Sequence, residues 1–193
     1  GSDRRPRVLV VSAVDRFGLA EAIVGTGADT CFGDVIFALQ IPFAVRRLGT
    51  IRLLAHLLLP IICRLPFRML YPTGDKQHET HSRGRRWFEW ADIIAGDYHY
   101  IGGNLPEPSP ANSALLSGKM VITNTTTEED VAKLRGLGLT TLVTTTPRLQ
   151  GRSPGTNVME GVLVALSGKR PDELVEQDYL DLLTRLQWHP TVE

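Results

Sequence analysis

The sequence predicts an α/β fold built on a mainly parallel sheet, and three observations carry that prediction. Short apolar runs of strand length alternate with segments of helical periodicity from Arg7 towards the end of the chain. The first run, Arg-Val-Leu-Val-Val-Ser-Ala from Arg7, has no polar alternation, which is the pattern of a strand covered on both faces. Glycines punctuate the segments, Gly25 and Gly27 after the first helical stretch and Gly136 and Gly138 after a later one. Parallel neighbours need crossover connections of one hand, so helices must cover both faces of such a sheet. The expected architecture is a Rossmann-like three-layer sandwich of about five mainly parallel strands with helices on both faces.

The elements follow in order. Residues 7–13 form the first strand, and residues 16–24 a helix with Phe17, Leu19, Ala20, Ile23 and Val24 at helical spacing. Residues 30–32 form a second strand that stops at Gly33-Asp34. A short helix over 87–90 precedes a third strand over 92–96, and the fourth and fifth strands fall at 119–123 and 141–145. Between the last two, Thr126-x-x-Glu129 has capping-box spacing, which makes Thr126 the expected cap of a helix running to Gly136. Residues 157–167 are apolar nearly all round, so that helix is expected to be buried against the sheet. A last helix over 172–186 sets Val175, Tyr179, Leu182, Leu183 and Leu186 on one stripe. Residues 41–82 and 101–117 are broken by Pro and Gly and read as insertions or lids within a single domain over 3–193. Gly1-Ser2 reads as a cloning remnant, with a preceding N-terminal domain expected in the natural protein.

With 193 residues, 42% of them hydrophobic, and 21 basic against 21 acidic side chains, the composition excludes disorder and low complexity. A net charge of zero removes the cationic surplus on which nucleic-acid binding is built, so no nucleic-acid partner is expected. Cys31 and Cys63 each sit among apolar neighbours, which points to buried thiols and a cytoplasmic, reducing setting. The apolar stretch 53–63 is interrupted by His56 and Pro60 and is too short for a bilayer span. It reads as a buried helix, as a homodimer contact through 51–63, or as an interfacial helix among Arg46, Arg47, Arg52, Arg64 and Arg68.

In an open α/β sheet ligands bind beyond the carboxyl ends of the strands, so the residues just after each strand carry the functional reading. After the first strand, Ser12, Asp15, Arg16 and Gly18 lie in a turn that leads into a helix N-terminus and can face phosphates, although the G-x-G-x-x-G fingerprint is absent. Asp34 ends the second strand where an acidic side chain accepts ribose hydroxyls, a spacing that suits NAD better than NADP. Asp97 and His99 after the third strand would point the same way in an extended segment and could act as acid and base, with Lys76 as a further proton-transfer group. Asn124, Thr125, Thr145 and Thr146 put amide and hydroxyl groups on the fourth and fifth edges, suited to a cofactor. Arg148 and Arg152, on a Gly/Pro loop ahead of Thr156 and Asn157 at a helix start, form the best local anion site. No His or Cys spacing matches a structural zinc site, and no metal is expected.

Several blocks taken together resemble a known bacterial family. They are Val10 through Gly18, Phe32-Gly33-Asp34, Leu65-Pro66-Phe67 with Tyr71-Pro72-Thr73-Gly74, Gly96-Asp97, Thr123 through Val131, and Thr144 through Arg148 with Gly155 through Glu160. That family is commonly labelled quinate 5-dehydrogenase, and the similarity runs from Arg7 over nearly the whole chain. The resemblance implies distant kinship with shikimate and quinate dehydrogenases, two-domain enzymes that oxidise or reduce a cyclic polyol acid with NAD(P) in a C-terminal Rossmann domain. It would make this chain that C-terminal domain and would place the substrate-binding Lys-Asp pair in a preceding segment. Two functions are therefore expected. One is an NAD(P)-dependent oxidoreductase or its nucleotide-binding domain; the other is a non-catalytic domain that binds a nucleotide or anionic metabolite.

Overall fold

A computed structural model describes residues 4–14, 16–37, 41–62 and 84–193. The elements run β1 (Arg7–Val10), α1 (Phe17–Gly25), β2 (Asp29–Phe32), α2 (Asp34–Phe37), α3 (Leu48–Ile62), α4 (84–90), β3 (Ile93–Ala95) and α5 (Tyr98–Asn104). They continue through β4 (Met120–Thr123), α6 (Glu128–Gly136), β5 (Thr141–Thr144), α7 (Thr156–Ser167), a 3₁₀ turn over Pro171–Glu173, α8 (Glu176–Arg185) and β6 (Thr191–Val192). The strands form one six-stranded sheet in the order β2-β1-β3-β4-β5-β6. All pairs are parallel except β5 with β6, where Val143 faces Val192 and Thr144 faces Thr191.

The three layers follow from the period of two along each strand. Leu9, Cys31, Ile94, Val121 and Leu142 point to one face, where Phe37, Phe88, Ile101 and Leu134 bury them. Val8, Val10, Phe32 and Ala95 point to the other, against Ala20 and Ile23 of α1 and Ile51 of α3. Because both faces are dry, the strands carry almost no polar alternation, which is why the first was legible as central. Cys31 is a buried free thiol, and burial pushes its pKa up to about 11, so it stays protonated and unreactive. In α3, Ile51 is fully buried while Leu53 and Leu57 are exposed. No helix among the described residues is long and apolar enough to cross a membrane. Cys63, Arg64 and Arg68 lie outside the described residues.

The structure differs from expectation in five places. The cap of α6 is Thr127, not Thr126: Thr127 Oγ1 accepts from the Asp130 amide and the Asp130 carboxylate accepts from the Thr127 amide. Thr126 is buried, and its carbonyl accepts from the Ser153 amide at 2.8 Å, which holds it in the preceding loop. Helix α7 is half exposed rather than buried all round. Met159 and Leu163 face inward, whereas Val158, Val162 and Leu166 face out, because α7 packs on one side only, the side that meets α8. The last helix starts at Glu176, after a separate 3₁₀ turn that holds Pro171. Strand β6 was not legible, since two residues give no periodicity. Within 101–117, Ile101 completes a turn of α5 and Leu105, Leu115 and Leu116 enter the core, so this segment is packed as the β3–β4 crossover.

Asp92, at the entrance to β3, ties down the start of the chain. Its carboxylate accepts from the Arg7 amide at 2.9 Å, from Arg7 Nε and Nη2, and from Arg4 Nη2. The Arg7 side-chain bonds hold the Asp92 carboxyl well below the usual carboxylate range. A depressed folded pKa stabilises the native state above the unfolded value near 3.9, and that stability fades as pH falls below it. Asp92→Asn is expected to lower the unfolding free energy by about 1–2 kcal/mol at pH 7, a figure reduced for partial exposure. Urea titrations of both proteins should draw together as the pH falls below about 4; a gap that stays unchanged down to about pH 2 would mean the loss is steric rather than electrostatic.

Candidate functional site

The chain passes from β1 to β2 on one side and then to β3 on the other, so the strand order reverses between β1 and β3. At such a switch point the loops leave the sheet in opposite directions and open a crevice beyond the carboxyl ends of the strands. Here the tips of β1, β3, β4 and β5 contribute one connected polar cluster.

Its centre is Asp97. Gly96 takes φ +148°, a region L-residues rarely adopt, and this turns the chain from β3 so that Asp97 caps α5. One carboxylate oxygen accepts from the His99 amide at 2.9 Å. The other accepts from Arg16 Nη2 at 2.5 Å and from Thr125 Oγ1 at 3.2 Å. Thr125 holds a left-handed φ of +58° at the tip of β4, strained for a β-branched residue, to deliver that hydroxyl. Arg16 Nη1 donates to Thr156 Oγ1 at 2.5 Å, so the guanidinium spans from β3 to the start of α7. With its amide oriented to satisfy its neighbours, Asn124 donates to Asp97 at 3.2 Å and accepts from the Thr156 amide at 3.3 Å and the Thr156 hydroxyl. The side chains of Arg16 and Asp97 are only 18% and 10% exposed. A pair this buried is tolerable only because further hydrogen bonds reach both partners, from Thr125, Asn124 and the His99 amide to Asp97 and from Arg16 to Thr156.

Above the cluster lies a cleft of about 420 Å³, walled by Arg16, Gly18, Asn124, Thr145, Asn157 and Glu160 among others. Two helices begin in its wall, α1 at Phe17 and α7 at Thr156; among the described residues their N-cap residues Arg16 and Gly155 make no side-chain cap, and at α7 the Asn124 side chain accepts from the first amide. The first turn of a helix presents amide N–H groups and the positive end of the helix dipole. A second cavity of about 520 Å³ adjoins the first and shares Thr145, Thr156 and Glu160 with it. Its remaining wall is largely apolar, from Met159 and Leu163 of α7, Tyr179 and Leu183 of α8, and the Trp188–Pro190 segment. Trp188 is held by its indole N–H, which donates to the Thr145 carbonyl at 3.3 Å.

Of the residues singled out in the sequence, Arg16, Gly18, Asn124, Thr145, Thr156 and Asn157 meet around the first cleft, with Asp97 and Thr125 beneath it. Thr146 lines the second cavity, with its hydroxyl bonded to Ser153 and the Pro154 carbonyl. Ser12 is buried at the β1 tip. Asp34 is bonded within the chain: its carboxylate accepts from the Ala13 and Val14 amides at 2.9–3.0 Å and so closes the β1–α1 loop on itself. Asp97 and His99 do not work side by side, because α5 starts at Tyr98 and residues two apart on a helix diverge. The His99 side chain is exposed and contributes only its backbone amide to Asp97. Arg148 pairs with Glu193, Arg152 is exposed on its turn, and neither lines the cleft. Asp15 and Lys76 lie outside the described residues.

Sequence reasoning missed Glu160 and the apolar cavity. Tyr179 and Leu183 were on the predicted stripe of the last helix, and a stripe that packs against a core reads the same as one that lines a cavity. Among the described residues no group of three or more His, Cys, Asp or Glu side chains could hold a metal ion. The family described as Domain of unknown function (DUF8754) matches residues 3–193. No curated protein and no solved structure matches the chain.

Proposed function

The chain belongs to the family described as a domain of unknown function (DUF8754), and from its cleft we propose that it binds a small metabolite through an anionic phosphate or carboxylate group. The observation that carries this reading is the convergence of two helix N-termini on one 420 Å³ cleft beside the Arg16 guanidinium. Oriented amides and a fixed guanidinium stabilise an anion without reorganisation. The cluster under the cleft supplies that fixity, since Asp97 and Thr156 hold Arg16 from two sides. The cleft volume lies in the range of small-molecule sites.

The dehydrogenase implied by the resemblance requires NAD(P), and the residues fit a dinucleotide poorly. The loop amides that would meet a pyrophosphate and the carboxylate that would meet a ribose are bonded to each other, Ala13 and Val14 to Asp34. The doubly wound strand order alone supports that second reading. Binding without hydride transfer is therefore the better-supported function.

A thermal-shift panel separates the two. Inorganic phosphate or acetate is expected to raise the melting temperature, because a ligand that binds only the folded state stabilises it by about 2.7 kcal/mol at one hundred times its Kd. Absence of a shift with both anions defeats the proposal. A shift with NAD or NADP that exceeds that of phosphate, and grows with quinate or shikimate, would restore the dehydrogenase. Glu160→Gln removes a negative charge from the cleft wall and is expected to tighten phosphate binding by about two- to fivefold, the scale of one exposed charge interaction. Calorimetric titration reads that difference.

A further inference from the structure

We propose that the ligand is amphipathic, a small organic acid whose charged head occupies the first cleft and whose apolar body fills the cavity between α7, α8 and the Trp188–Pro190 segment. The inference rests on the anion reading above and adds the class of molecule that carries the anion. Three shared residues, Thr145, Thr156 and Glu160, border both cavities, so a polar cleft at the β1–β4 end lies directly beside an apolar one. The same helix builds both parts: α7 offers its first turn to the polar end, and Met159 and Leu163, one turn apart on its inner face, to the apolar end. A ligand that entered only the first cleft would leave Tyr179, Leu183 and Trp188 facing water in a concave pocket, where apolar surface is most favourably covered. Glu160 stands at the junction and, as a carboxylate, accepts from a donor on the ligand there. The apolar end is bordered by aromatic side chains, which stack on a flat ring.

The test compares three probes on the full chain by calorimetry: inorganic phosphate, 1-naphthyl phosphate and 1-naphthol. The proposal expects naphthyl phosphate to bind at least tenfold more tightly than either fragment. It also expects that ratio to fall towards one in Leu183→Asp and in Tyr179→Lys, two variants on different turns of α8, each checked for native circular dichroism. Equal affinity for phosphate and naphthyl phosphate overturns the inference and leaves the anion reading standing. Binding of naphthol and naphthyl phosphate alike, with none of phosphate, overturns both and leaves an apolar pocket only. No binding by any probe also overturns both.

Discussion

Arg16→Met is expected to lower the unfolding free energy by about 3 kcal/mol and to abolish phosphate binding. Most of the stability loss comes from what remains: the Asp97 carboxylate, 10% exposed, keeps the Thr125 and Asn124 contacts and the His99 amide but loses its cationic partner. Breaking a buried pair by removing one partner is strongly destabilising, whereas removing both is often close to neutral. Arg16→Met with Asp97→Asn should therefore be more stable than Arg16→Met alone, and the cycle should show a coupling of about 1.5 kcal/mol or more between the two positions. Urea unfolding at pH 7 measures all four proteins. Additive losses would show that the two side chains meet without depending on each other. The binding loss has a separate cause. Without the guanidinium, Thr156 loses its 2.5 Å donor and the first turn of α7 loses its link to β3.

Asp34→Ala is expected to cost about 2–3 kcal/mol. Its carboxylate is the acceptor for two consecutive loop amides, Ala13 and Val14, and Ala13 is fully buried. An unsatisfied buried amide costs about 1–3 kcal/mol, and hydrogen bonds to a charged acceptor are the stronger kind. Asp34→Asn keeps one carbonyl oxygen in place and should lose less. The loop amides form a seat for an anion that the protein fills with its own side chain, so sulfate in the buffer should recover part of the stability of Asp34→Ala beyond its general effect on the wild type. Equal sulfate slopes for variant and wild type would show that the emptied seat collapses. Sulfate recovery would also explain why the first turn can do without the glycine fingerprint: its amides are satisfied internally, so no pyrophosphate has to approach the backbone.

Much of the fold was legible because both faces of the sheet are dry. Residues 8–10, 93–95 and 120–123 are apolar or β-branched over their length, and only a covered strand reads that way. The start of α6 was readable to within a residue from its capping-box spacing, and the choice of Thr127 over Thr126 was set by a tertiary hydrogen bond from Ser153 that no local pattern encodes. The candidate site was legible as a set of strand tips but not as a set of roles. Arg16, Asp97, Asn124 and Thr156 were all named, yet nothing in their spacing says that Asp97 bonds to Arg16, 81 residues away, rather than acting with its neighbour His99.

The sequence by itself determined the α/β class, the order of the principal strands and helices, and which edge of the sheet is polar, because periodicity, punctuation and strand-end composition are local properties of the chain. Only the tertiary structure decided how those polar groups are used. It assigned Asp34 to the β1–α1 loop, withdrew Arg148 and Arg152 from the cleft, and set a polar cleft beside an apolar cavity at Thr145, Thr156 and Glu160. The physical reason is that a hydrogen bond or an ion pair depends on distance in space, and the strand order that brings residues 16, 97, 124 and 156 within bonding reach exists only once the sheet has formed.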